Sequence, residues 1–269
     1  MKKTYKTEIL NYIRSLGIPV AGVTGDGATY SKIVCLFPYF TGEQNRGNLS
    51  MYAYGKDYHT IVREYLLKIA DFIATLSPES TSSVHVDIGT TDDKFSAFSA
   101  GLGFYGRNTL LIHPQYGSYV FIGYVESNLI LEADRPTLQT CADCRKCETA
   151  CPGGALRDGK IDVSKCISHI TQKKGVLCEN EAEIMRKGGF IWGCDICQSV
   201  CPHNISVPLS PIPDFYEDLQ FSLYALPDSN KAFKKAYGDR AYAWRGKAVL
   251  ERNLEIFSMH QTKDTGHTK

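Results

Sequence analysis

The chain has 269 residues, 43% apolar and 22% charged, with a formal net charge of +1. That is the composition of a globular protein with a real core. The near-neutral balance excludes a surface that traps nucleic acid as a whole, so any basic face must be local. No apolar run approaches the ~20 residues of a membrane span. The basic start, Met1-Lys2-Lys3, leads into Thr7-Glu8-Ile9 without an apolar signal region, so a cytoplasmic location is expected.

In chain order, Tyr5–Leu16 reads as a short helix ended by Gly17 and Pro19, and Lys32–Phe40 as a buried strand of β-branched and aromatic residues. From Asp57 to Leu76 the apolar residues recur at helical spacing until Ser77-Pro78 stops them. Ser83–Asp87, Thr109–His113 and Tyr119–Val125 read as strands, the last two joined in a hairpin through Pro114-Gln115-Tyr116-Gly117. After Asp134-Arg135-Pro136 the composition turns to cysteine, glycine and proline, and beyond Pro213 a basic, aromatic helical tail follows.

Nine of the ten cysteines lie between Cys141 and Cys201, which in a cytosolic chain points to metal ligation rather than disulfides. Cys141-Ala-Asp-Cys144-Arg-Lys-Cys147-Glu-Thr-Ala-Cys151-Pro152 has the spacing C-x₂-C-x₂-C-x₃-C-P. Three thiolates so spaced can wrap one [4Fe–4S] cluster, while the fourth turns toward a second cluster. The reciprocal half is Cys194-Asp-Ile-Cys197-Gln-Ser-Val-Cys201-Pro202. Cluster one then takes Cys141, Cys144, Cys147 and Cys201. Cluster two takes Cys151, Cys194, Cys197 and either Cys166 or Cys178. A pair of zinc sites is the plainer alternative for CxxC pairs, but two runs ending in Cys-Pro specify ferredoxin geometry. Cys35, inside the strand KIVCLFPYF, reads as a small buried apolar residue.

Two clusters carry electrons but leave the transformation of a substrate to other groups, and the N-terminal half is larger than a carrier needs. Here the sequence resembles the epoxyqueuosine reductases, cobalamin-dependent enzymes of tRNA queuosine biosynthesis and distant relatives of the reductive dehalogenases. The resemblance runs from about Leu49 to about Phe257. Tyr52-Ala-Tyr54-Gly-Lys-Asp57-Tyr58-His59 resembles the family's YAxGxDYH, and Ala100–Asn108 its AGLGWxGKN. Gly117–Gly123 resembles GSxxFLG, Lys165-Cys166-Ile167-Ser168 resembles RCIS, and Leu250-Glu-Arg-Asn253 resembles LxRN. The family's Glu-Arg pair is Asp93-Lys94 here, and the sequence ends where longer members continue into helical repeats.

The resemblance implies an α/β cobalamin and substrate domain over residues 1–133. A double [4Fe–4S] ferredoxin-like module over 134–212 and a basic helical segment packing back over 213–269 would follow. It selects Cys166 over Cys178 as the eighth ligand. Asp87, ending an apolar strand, is the expected proton donor, its pKa raised by desolvation. Tyr54, Asp57, His59, Gly101, Gly103, Phe104, Gly106, Arg107 and Asn108 are the expected cobalamin contacts, the glycines letting backbone approach a large flat ligand. In the tail, Lys231, Lys234, Lys235, Arg240, Arg245, Lys247 and Arg252 alternate with Phe233, Tyr237, Tyr242 and Trp244. That mixture suits the phosphates and splayed bases of an anticodon loop. The implied activity is reduction of epoxyqueuosine to queuosine in tRNA, with electrons from an external low-potential donor such as ferredoxin or flavodoxin. The other readings are a cobalamin-dependent reductase of a small molecule and a two-cluster electron-transfer protein without corrinoid.

Overall fold

The computed structural model describes residues 2–42, 47–87 and 92–264, with side chains placed from Tyr5 to Ser258 outside the two internal gaps. Its frame is a four-stranded antiparallel sheet in the order β1-β2-β6-β3: β1 Val20–Gly25, β2 Ser31–Pro38, β6 Val120–Ser127 and β3 Ser82–Val86. Helices α1 (Lys2–Ser15) and α2 (Tyr58–Leu76) pack on one face, and α3 (Asp93–Ser99) on the other. β2 is central and covered on both sides, so all eight of its residues are buried, which explains its unbroken apolar run. Ile33, Cys35 and Phe37 face α1 and α2, while Val34 and Leu36 face α3. Cys35 is fully buried and burial pushes its thiol pKa up.

Asp57, in extended backbone, caps α2, its carboxylate accepting from the His59 amide at 3.0 Å. Ile61, Val62, Leu66, Ile69 and Ile73 then line the buried stripe, each such side chain contributing about 1.5–3 kcal/mol on burial. Gly123 of β6 is where this helix meets the sheet, since a Cβ there would lie 2.7 Å from Val62.

One expectation needs correction. Thr109–His113 does not form a hairpin with Tyr119–Val125. Only Leu111–Ile112 (β5) is strand, and it pairs with Phe104–Tyr105 (β4) in a separate two-stranded sheet, leaving a single bridge, His113 to Gly117, at the expected turn. In the C-terminal segment α8 (Asn230–Tyr237) and α9 (Lys247–Asp264) bury Phe233, Val249 and Leu250 in the main core, and Tyr242 between them joins it. Asn253, fully buried, donates to the Thr171 and Ile191 carbonyls at 2.7 and 2.8 Å.

The cysteine-rich stretch is short-helical: α4 Lys146–Ala150, α5 Ile167–Ile170, α6 Glu179–Gly188 and α7 Ile196–Ser199, with the two-residue strands β7 (Leu156–Arg157) and β8 (Lys160–Ile161) between α4 and α5. It is stitched to the N-terminal half by the Ser50 amide donating to the Trp192 carbonyl at 2.9 Å and the Ile191 amide to the Asn48 carbonyl at 2.8 Å. Among the described residues no helix is long and apolar enough to cross a membrane.

Candidate active site and cluster pockets

The cysteines gather into two quartets. Cys141, Cys144, Cys147 and Cys201 line one small pocket, whose other walls include Arg107, Asn108 and His203. Cys151, Cys166, Cys194 and Cys197 line the wall of a separate cavity of about 810 Å³. The quartets adjoin because α4 packs on α7. Cys178 belongs to neither. It is exposed as the N-cap of α6, where Glu181 accepts from its backbone amide at 3.0 Å. Among the described residues no three His, Cys, Asp or Glu side chains converge tightly enough to hold a single metal ion. Each quartet instead surrounds a space.

The donor chemistry of the second quartet fits a cluster. Burial first, and then neighbouring negative charge, pushes the Cys194 thiol up to about 12 and Cys197 well above its usual value. Thiolates buried like these two are tolerable only around a cation that takes up their charge. Asp195, between the two cysteines and fully buried, accepts from Ser50 Oγ at 2.5 Å and from the Met51 amide at 2.7 Å. It ties the quartet to the N-terminal half, a role its sequence position did not announce. Arg107 does the same for the first quartet's loop, pairing with Asp143 and Glu148 at 2.7 Å and with Asp158 at 3.0 Å.

The large cavity brings the acid to the clusters. Asp87 follows β3 in left-handed backbone (φ 56°), which aspartate tolerates better than most residues. Its carboxylate accepts from the Tyr58 hydroxyl and lies 3.3 Å from His59 Nε2. His59 Nδ1 lies 2.7 Å from the Asp57 carboxylate, so the imidazole sits between two acids. Burial alone would lower the His59 pKa, but hydrogen bonds and charge from Asp57 and Asp87 raise it to about 9. Burial likewise works to raise Asp87, yet hydrogen bonds from His59 and Tyr58 and the His59 charge outweigh it and hold the carboxyl below its usual value. The expected raised pKa at Asp87 is therefore corrected, because a charged partner stabilises the carboxylate more than burial penalises it. The proton rests on His59.

Beside this group, Asp93 is pushed up to about 6 by burial and by the Asp87 charge. Lys94 donates to the Thr109 carbonyl at 3.1 Å, and with Asp87 it lines both the large cavity and an adjoining one of about 570 Å³. Tyr58, which sequence reasoning passed over although it lies between Asp57 and His59, stacks face to face on Phe121 at 4.0 Å. At the far side Trp244, 59% exposed, lines the cavity with the Arg245 guanidinium 3.6 Å over its ring.

Of the other expected cofactor contacts, Asp57, His59 and Asn108 line the cavity. Tyr54 does not: it is 1% exposed and packs edge-on against Phe221. Gly101, Gly103 and Gly106 are not among the cavity's lining residues either. A Cβ on them would meet the Arg135 carbonyl, the Ile112 carbonyl and Asn108 Oδ1 at 2.4, 2.5 and 2.4 Å, so the glycines admit the protein's own atoms. Phe104 is buried against the His203 ring, and Arg107 is held in its ion pairs.

Residues 140–204 match the model of the 4Fe-4S double cluster binding domain, and residues 28–88 that of epoxyqueuosine reductase QueG, DUF1730. The epoxyqueuosine reductase of Lactococcus garvieae is 36% identical over 229 residues, covering 82% of this chain and 64% of that protein. The Bacillus subtilis enzyme is 36% identical over 231 residues, covering 83% and 58%. The chain thus spans under two thirds of the length of these curated relatives. An epoxyqueuosine reductase crystallised with a tRNA-Tyr epoxyqueuosine-modified stem loop superposes with a TM-score of 0.85 at 28% identity, over 96% of this chain and 81% of that one. The Streptococcus thermophilus enzyme gives 0.78 at 29%, over 95% and 81%. A catabolic reductive dehalogenase shares the fold, with a TM-score of 0.50 at 16% identity. In sequence over four fifths of its length and in fold over nearly all of it, the chain is a relative of the epoxyqueuosine reductases.

Proposed function

We propose that this chain is a cobalamin- and [4Fe–4S]-dependent reductase that converts epoxyqueuosine in tRNA to queuosine. The observation that carries the reading is one cavity walled on one side by the second cysteine quartet and on another by Tyr58, His59 and Asp87. Opening the epoxide to the alkene takes two electrons and two protons and releases the oxygen as water. A cavity with these walls would bring an electron source and a proton source to one volume. Its aromatic and aliphatic walls, and the adjoining space of about 570 Å³, suit a flat macrocycle with polar fringes. When bound, the corrinoid supplies the reducing centre.

The protein's own part is to hold protons and the base. His59 stores a proton at neutral pH, and Asp87, bonded to both His59 and Tyr58, passes it to the leaving oxygen and is recharged from the imidazolium. Asp93, pushed up to about 6, is the second acid, on the wall of the adjoining cavity that Asp87 also lines. Cys144 is exposed, so electrons from a ferredoxin or flavodoxin enter at the first cluster and leave toward the cavity from the second. On this reading residues 1–133 supply the acid and aromatic walls, 134–212 the clusters, and 213–269 the rim. The rim carries the nucleic-acid reading. Exposed Trp244 under its guanidinium is a stacking surface for a base, and Lys231, Lys234 and Lys235 are exposed on α8.

Anaerobic purification from cobalamin-supplied cells, with optical spectra and iron analysis, tests the cofactors. About eight irons per chain and a corrinoid band are expected. Iron without corrinoid would leave a two-cluster electron carrier and end the enzyme reading.

A further inference from the structure

Two buried N–H donors on the walls of the first cysteine pocket have no hydrogen-bond partner among the described residues: His203 Nε2 and Asn108 Nδ2. Orphaned buried donors cost about 1–3 kcal/mol each, and two on one pocket mark a space made for an acceptor. The position of His203 is fixed by its surroundings. It lies in the 3₁₀ turn Pro202–Asn204, directly after ligand Cys201 and Pro202. Its ring meets Phe104 edge-on at 5.2 Å. The neighbouring Asn204 is 3% exposed and fully engaged, accepting from the Ser118 amide and donating to Ser118 Oγ and the Gln198 carbonyl at 2.8–2.9 Å. Those three hydrogen bonds anchor the turn from which the imidazole projects.

We propose that His203 donates Nε2–H to a sulfur of the first [4Fe–4S] cluster and thereby sets that cluster's reduction potential. Sulfur atoms of a cluster carry more negative charge after reduction, so a donor aimed at one stabilises the reduced form and raises the potential. His203 is thus a positioning residue for electron entry, acting on the cluster nearer the exposed Cys144 and leaving the second unaffected. The inference rests on the two-cluster assignment and is independent of the substrate.

The test is a redox titration of the intact holoprotein, followed by electron paramagnetic resonance, in wild type, His203→Phe and His203→Gln. His203→Phe keeps the ring and loses the donor, so one of the two midpoints should move negative while the other stays. His203→Gln, which keeps an N–H, should lie nearer wild type. Unchanged midpoints in His203→Phe with a full iron load would overturn the proposal. If His203→Phe loses iron, wild type labelled with nitrogen-15 histidine decides. A hyperfine coupling to the reduced first cluster that vanishes in His203→Gln supports the donor role, and the absence of any such coupling refutes it.

Discussion

Burial would leave His59 neutral and Asp87 protonated, yet each holds the other in the opposite state, and Asp57 behind the imidazole fixes that outcome. The arrangement has a pH signature. His59 is raised above its ordinary 6.5 to about 9, so its contribution to stability is fully present below 6.5 and is lost as pH rises through about 9. Asp87 is lowered, so its contribution is present above its ordinary value of 3.8 and lost as pH falls through the depressed one. The difference in melting temperature between wild type and His59→Asn should be widest just below pH 6.5 and close above pH 9. With the ring 41% exposed the gap will be modest. A gap that widens toward high pH would mean that His59 is neutral in the folded protein. None of this coupling was visible in the sequence, because Asp87 lies at a strand end far from Asp57 and His59. Only the fold of β3 against α2 brings them together.

Among the elements, α2 and β2 were legible because burial dictated their patterns: a one-sided stripe for the helix, a continuous run for a strand covered on both faces. β1, Val-Ala-Gly-Val-Thr-Gly, was not, since two glycines in six residues weaken the strand pattern. It is a strand because β2 offers it a complete edge, and Gly22 is required where a Cβ would lie 2.6 Å from the Ala100 carbonyl. The β5 mispairing has the same origin, as local strand propensity does not name a partner. The cysteine spacing carried more, because cluster geometry is built into it. It left open only the choice between Cys166 and Cys178, and that choice has an element-level test. Cys166→Ser should lose or convert one cluster. Cys178→Ser, replacing a thiol by a favoured N-cap residue at α6, should keep the wild-type iron content and melting temperature. Iron loss from Cys178→Ser alone would reassign the second quartet.

Across the molecule, the basic C-terminal residues divide by what they already hold. Arg240 donates to the Tyr54 and Asp218 carbonyls, and Arg252 to those of Lys173 and Gly175, so both brace the fold. Lys247 is paired with Glu251. Lys234 and Lys235 remain exposed on α8. Charge reversal at these two should weaken tRNA binding and flatten its salt dependence by about one unit of slope for each phosphate no longer neutralised. Turnover at saturating tRNA should suffer less, because an unstacked loop base costs little to insert. Salt-independent binding would point to a small-molecule substrate instead.

On the proposed mechanism, electrons from the second cluster and a proton from the Tyr58–His59–Asp87 group meet a tRNA base in one cavity. The direct measurement is nucleoside mass spectrometry of epoxyqueuosine-containing tRNA incubated with the reduced, cofactor-loaded protein and with its Asp87→Asn variant. Wild type should convert epoxyqueuosine to queuosine. Asp87→Asn should be slower by roughly 10²–10⁴-fold, the usual weight of a general acid, with iron content and tRNA affinity unchanged. Wild-type protein with full iron and corrinoid that leaves epoxyqueuosine intact, or an Asp87→Asn variant that converts it at the wild-type rate, would contradict this mechanism.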